Sequence, residues 1–506
     1  MTAPFPRTES ATRAEIVTRE DLVQFLNACQ SCTGQREFYS ESADAPRVSI
    51  AFLHHYILGN YRRLYARTLA AGVNDFNRAQ ILLNLLSTGR DTQERDREEE
   101  NTLIRAGLRS LPPHRVWNLL GELRKRGINN RRSRAVVKAY LVDKEPERAV
   151  FETVKYRTKV RAALVHAHTP LTGEWGPFLF GWNKGTDKRR FQTPLFESFR
   201  RAHFSADDLY ELPYTVAEGL AQKHNVPRDV FLRRIAGQMT NHEKLRLQET
   251  AEDASKRGVD LGFDLSRAPL TRLVLYLLSL PAAEREEKRD TFEVALRSSA
   301  RRALRNAPLQ LAGHPETNGS PGAKQGCPKI AAVLDRSYSS SGSEERRRRP
   351  LAVAVAVHYL LREAYGTNYV PFWTGGPVSD PLLVAARGQT NLADGIVSAL
   401  EAGAGTLVLV SDGCDNDPPS GAAEVLRVWR TKLDPTRRVS VVHCNPVFSA
   451  DDYGPLLISE HVPTVGLRDA EDLSTVLGFA RFAEGTTSLA DLETYLAERV
   501  ASFVGG

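Results

Sequence analysis

The sequence predicts a multi-domain chain in which an α-helical array precedes an open, doubly wound α/β domain. Three observations predict it. Residues from about 20 to 305 read as helix after helix. Ala307 to Pro328 is rich in glycine, proline and small polar residues, a linker composition. After Lys329, short apolar runs alternate with helical patterns, the rhythm of a parallel sheet covered on both faces. At 506 residues, two or three domains are expected. The boundaries fall at a loose tail (1–19), a helical module (20–306), a linker (307–328) and an α/β domain (329–506).

In the helical module, Val116, Leu119, Leu120 and Leu123 recur at helical spacing after Pro112-Pro113, and Gly127 stops that helix. Leu270, Leu273, Val274 and Leu277 repeat the pattern, closed by Pro281. Residues 76–86, 131–142, 151–165, 229–238 and 292–305 also read as helices. Many helices of similar length with short connections suggest a stacked array, although no crisp period is visible. In the α/β domain, strands are expected at 329–334, 369–373, 406–411, 439–443 and 462–465. Helices are expected at 351–363, 391–401, 422–432 and 489–503.

Composition bounds the class. Hydrophobic residues make up 42% and charged residues 25%, as in soluble globular proteins. No apolar run is long enough for a transmembrane helix, so no membrane partner is expected. The first 20 residues mix Arg and Glu and do not read as a secretory signal. Five cysteines fit a reduced, cytoplasmic setting. Cys29 and Cys32 form a lone CxxC, which is weak support for zinc or redox chemistry beside the simpler reading of small helix residues. The net charge of +7 is uneven. Residues 329–506 hold 16 Lys and Arg against 22 Asp and Glu, so the preceding residues carry the positive excess. A basic module joined to an acidic one points the first toward a polyanion, with an arginine-biased soluble surface as the alternative.

Two apolar strands end in acids. Asp335-Arg336-Ser337-Tyr338-Ser339 follows the run at 329–334, and Asp412 follows Leu407–Ser411. Between them, Thr390 lies in a loop just before a helix. In a doubly wound sheet, ligands gather outside the carboxyl ends of the strands. Few carboxylates and several hydroxyls suit Mg²⁺ or another hard divalent cation, which prefers oxygen donors and keeps some waters. The four arginines 346–349 read as a solvated helix start, or as an anion-binding rim.

The series Asp335, Ser337, Ser339, Thr390 and Asp412 resembles the metal-ion-dependent adhesion site of von Willebrand factor A domains. In that family the site takes a partner's acidic side chain and is not catalytic. Arg336, and Gln389 where many members carry glycine, depart from the pattern. In the helical module, Gly127–Tyr140, the Val154-Lys155-Tyr156-Arg157 segment, His168-Thr169-Pro170 and Phe231–Thr240 resemble TROVE modules. The whole is similar to the Ro autoantigen family and its bacterial relatives. It departs by being shorter between the KYR segment and the His-Pro end, where the family's Gly-Trp-Ser-His element is missing.

The resemblance implies a HEAT-like helical ring with the von Willebrand factor A-like domain. It also implies binding of small noncoding, Y-like RNA and of single-stranded RNA 3′ ends, work with an exoribonuclease, and a monomer. The candidate RNA contacts are Arg131, Arg132, Arg134, Lys138, Lys155, Arg157, Lys159 and Arg161 for phosphates. Tyr156, His168 and Tyr140 are candidates for stacking on unpaired bases. For each of these the alternative is a solvated charged face over buried aromatics. Lys188-Arg189-Arg190 and Arg200-Arg201 are further candidates. The competing reading is a metal-dependent adaptor for a MoxR-type AAA+ ATPase. No Walker loop, nucleophile elbow, HExxH or paired-acid motif stands in a convincing context, and the His54-His55 and Asp451-Asp452 pairs point apart, so no enzyme is expected.

Overall fold

The computed structural model describes residues 12–33, 45–142, 144–181, 190–249, 262, 264–306, 329–342, 347–449, 454–483 and 487–505. The linker 307–328, Cys327, Lys188, Arg189, Arg346 and the Asp451-Asp452 pair lie outside them. The chain is mostly helical with one small parallel sheet. It divides into two compact units: Met1–Asn77 with Leu265–Gly506, and Arg78–Asp264. The division does not follow the linker, because helices on both sides of it share one unit.

In the first unit, β1 (Ile330–Leu334), β2 (Tyr369–Trp373), β3 (Thr406–Val410), β4 (Ser440–Asn445) and β7 (Thr464–Gly466) form a parallel sheet. Their order is β2-β1-β3-β4-β7. The short antiparallel pair β5 (Phe448–Ser449) and β6 (Gly454–Pro455) lies apart from it. The strands are short, apolar and β-branched, and β1 and β3 are buried at every residue, as central parallel strands must be. One face of the sheet packs Ala331, Val333, Leu407 and Leu409 against Ile396 and Leu426, from the helices Ala393–Glu401 and Gly421–Val428.

The other face carries the helix Arg349–Tyr365, buried without interruption from Arg349 to Leu361. Its outer side is covered by the helices Leu270–Ser279 and Arg289–Asn306. A helix packed on both sides has no polar face to show, which explains the run LAVAVAVHYLL. Glu363 accepts from both Arg297 and Arg301, and Tyr359 Oη donates to Glu293 at 2.6 Å. Glu471 caps the 270–279 helix by accepting from Thr271 N at 3.3 Å, and also accepts from Thr271 Oγ1 at 2.7 Å. At the other end of the chain, the helix Arg13–Ser31 packs on β7, with Asn27 Nδ2 donating to the carbonyl of Thr464 at 3.5 Å.

This unit buries neutral histidines. Burial pushes His54 down to about 4 and His358 to about 3. His54 sits between Tyr65 Oη at 2.8 Å and Asn77 Oδ1 at 3.0 Å. A histidine whose folded pKa is depressed contributes stability that is present above the unfolded value and lost as pH falls toward the folded one. The melting temperature is therefore expected to drop between about pH 7 and pH 5, and His358→Gln to flatten that dependence. Thermal unfolding across this range checks it, and an unchanged slope in the variant would refute it.

All regular elements among the described residues of the second unit are helices. The helix Pro113–Lys125 has proline in its first turn and ends at Gly127 (φ 65°), where Ile128 N donates back to Leu123 O at 2.9 Å. The helix Arg131–Val142 follows, with Asn130 Oδ1 accepting from Ser133 N at 2.8 Å. The expected helix at 151–165 is instead two, Pro146–Lys155 and Arg157–His166. Tyr156 leaves helical geometry (φ −115°, ψ 28°) at the junction. Lys155 ends the first helix paired with Glu243, and Arg157 begins the second with its guanidinium over a ring cluster.

Candidate functional site

The sheet order places β2 on one side of β1 and β3 on the other, so the order in which strands are added switches sides between β1 and β3. In open α/β sheets, ligands gather outside the carboxyl ends of the strands at such a point. Asp335 follows β1 and Asp412 follows β3 at this edge.

Asp335 is 2% exposed and held from three sides. Its Oδ1 accepts from Ser337 N at 2.8 Å and Thr374 Oγ1 at 3.2 Å, and its Oδ2 accepts from Ser411 Oγ at 3.1 Å. Burial pushes its carboxyl up to about 6, with the neighbouring Asp412 charge adding to the shift. Ser337 and Ser339 bring their hydroxyl oxygens within 3.1 Å of each other. Asp412 is buried; its Oδ1 accepts from Cys414 N at 3.0 Å, while its Oδ2 has no hydrogen-bond partner among the described residues. Thr390 is buried as well.

Backbone bonds lock these loops together. Tyr338 N donates to Gly388 O at 3.0 Å. Thr390 N donates to Asn416 Oδ1 at 2.9 Å, and its carbonyl accepts from Asp417 N at 3.1 Å. Asn445 Nδ2 donates to Asp412 O at 3.0 Å. Gly413 must be glycine: its φ is 87°, and a Cβ would stand 2.7 Å from the carbonyl of Leu456.

The orphaned oxygen of Asp412, the carboxylate of Asp335 that its charge repels, and the paired hydroxyls of Ser337 and Ser339 are donors whose chemistry fits a hard cation. Among the described residues, no cluster of three or more His, Cys, Asp or Glu is placed to hold a metal. The present set has two carboxylates only and relies on hydroxyls.

Several supporting residues escaped the sequence reading. Thr374, just past β2, receives Arg336 N at 2.8 Å and donates to Asp335. The Arg336 guanidinium is turned to the carbonyls of Thr374 and Gly375, each at 2.8 Å. Ser411 and His443 form a layer behind the carboxylates, with His443 Nε2 3.0 Å from Ser411 O. The strand-end rule that found Asp335 and Asp412 could have found Thr374 and Ser411. Of the arginines 347–349, the first two are exposed, but Arg349 is buried and donates to Arg468 O, so it is not part of a solvated start.

The basic residues of the helical unit separate into two groups. Arg132 is mostly buried and bonded to Glu100 and to Asn101 Oδ1. Lys155 pairs with Glu243 at 2.8 Å. Arg157 is half-buried, donates to Phe178 O at 2.9 Å and lies over the Phe178 and Phe199 rings. Tyr156 is half-buried, and Tyr140 is buried edge-on against Trp117. Arg200 and Arg201 are paired with acids.

Arg131, Arg134, Lys138, Lys159, Arg161 and His168 are exposed. Arg131, Arg134 and Lys138 fall at i, i+3 and i+7 on one helical face. That helix has no acidic residue, and none of the three forms an ion pair among the described residues. Exposed Arg124 and Arg126, on the preceding helix end and turn, extend the cationic ground and were not singled out from the sequence. The whole unit holds 34 Lys and Arg against 25 Asp and Glu, a net +9, while the rest of the chain carries −2.

No protein-family model matches this sequence, and no curated protein matches it.

Proposed function

We propose that this chain is an RNA-binding scaffold whose helical unit takes structured RNA with a single-stranded 3′ end. The observation that carries the reading is the exposed triad Arg131, Arg134 and Lys138, which forms no ion pair among the described residues, in a unit of net +9. The resemblance to the Ro family supports it and extends it to small Y-like RNAs, an exoribonuclease partner and a HEAT-like ring. Phosphate contacts fall to the exposed cations. Arg132, Lys155 and Arg157 position the helices that present them.

In the same reading the α/β unit is von Willebrand factor A-like and holds Mg²⁺ or another divalent cation through Asp335, Ser337, Ser339, Thr390 and Asp412. A bound cation would offer an open coordination position to a partner's oxygen. The orphaned Asp412 Oδ2 supports this assignment.

The test uses the purified full chain and a structured RNA with or without an unpaired 3′ tail. Tailed RNA is expected to bind more tightly, and affinity to fall about 10²-fold between about 50 and 200 mM salt. Binding blind to the tail, or indifferent to salt, would sink the reading. One observation favours a second: Tyr338, Leu456 and Leu457 stand exposed on the loops that carry or adjoin the candidate cation ligands, as a protein-docking rim would. On that reading the chain is an adaptor for an AAA+ ATPase, and it would co-purify with such an ATPase and no RNA.

A further inference from the structure

The helix Arg157–His166 exposes Thr158, Lys159, Arg161 and Val165, and exposed His168 (φ 50°) follows its end. Beside the helix lies the wide turn Pro177–Gly181. Phe178 of this turn is fully buried, stacked on Phe196 with ring centres 4.0 Å apart. Arg157 fastens the turn by donating to the Phe178 carbonyl. The next-but-one residue, Phe180, is 43% exposed, and the Arg161 guanidinium lies 5.3 Å from its ring centre. Neither Arg161 nor Phe180 has another partner among the described residues.

Phe180 is thus a large aromatic ring held partly exposed on a braced turn, beneath a guanidinium. A guanidinium over an aromatic ring at the surface of a cationic unit suits the π-face of an unpaired base followed by its phosphate. We propose that Phe180 and Arg161 form a base-stacking platform for one unpaired nucleotide. The ligand is single-stranded polynucleotide, recognised by its base faces rather than by its charge alone. This rests on the RNA reading above and assigns it a contact that the sequence did not single out.

The experiment measures binding of the full chain to an unstructured RNA of about ten nucleotides, and to the same backbone made abasic. Phe180→Ala is expected to weaken binding of the intact oligonucleotide about tenfold with an unchanged salt slope. Phe180→Trp is expected to restore it, and the abasic strand to bind wild type and Phe180→Ala alike. Circular dichroism verifies that the variants fold. If Phe180→Ala binds like wild type while charge reversal at Arg131, Arg134 and Lys138 weakens binding, the platform is refuted and the RNA reading stands. If wild type binds neither strand, both fall.

Discussion

Asp412→Asn is expected to abolish stabilisation by divalent cations and, without cation, to melt at or above the wild-type temperature. The two signs come from one geometry. Asp412 and Asp335 are both buried, and the second is pushed up partly by the charge of the first. In the cation-free protein that repulsion, and the unpartnered Oδ2, oppose folding. Asparagine keeps an acceptor for Cys414 N and removes the charge. In wild type, a cation at about a hundred times its dissociation constant would add about 2.7 kcal/mol to stability. Calorimetry with Mg²⁺ and Mn²⁺ reads both effects. A wild-type protein with no cation response, or a variant that keeps it, would remove the metal from this site.

Reversing Arg131, Arg134 and Lys138 to glutamate together is expected to weaken RNA binding at least about 10²-fold at low salt. The logarithmic salt slope should fall by about 2, since each lost phosphate contact removes about 0.7 from it. These side chains are exposed and form no ion pair among the described residues, so thermal stability should stay within about 1 kcal/mol of wild type. Arg132→Glu is the contrasting control. It would set a second carboxylate against buried Glu100 and cost about 3–5 kcal/mol. Loss of RNA binding in that variant would therefore report on folding and not on contact. Undiminished binding by the triple variant would move the interface elsewhere.

Much of the α/β unit was readable because its signals are local. An apolar five-residue strand ending in an acid declares itself, and five strands with intervening helices emerge near their expected bounds. The candidate ligands follow from the same rule about strand ends. What could not be read were distant partners. Nothing near Arg132 in sequence announces Glu100, and nothing near Lys155 announces Glu243. Eight cations within a short stretch therefore looked alike, although Arg132, Lys155 and Arg157 are partly buried against internal partners. The break at Tyr156 was equally hidden, because the helical spacing of apolar residues runs through it. The covering of the 349–365 helix by segments that precede the linker is also a matter of remote contact, which composition does not encode.

Because the first compact unit is made from residues before Arg78 and after Asp264, the helical unit is an insertion within it. During synthesis, the stretch from Arg78 to Asp264 emerges whole and is free to collapse by itself. The amino-terminal helices meanwhile wait as an orphaned half until the sheet they rest on has been translated. Closing that interval carries an entropic cost that grows only logarithmically with its length, so the insert is tolerated. The waiting half is then the stage at which a nascent chain would lean most on chaperones.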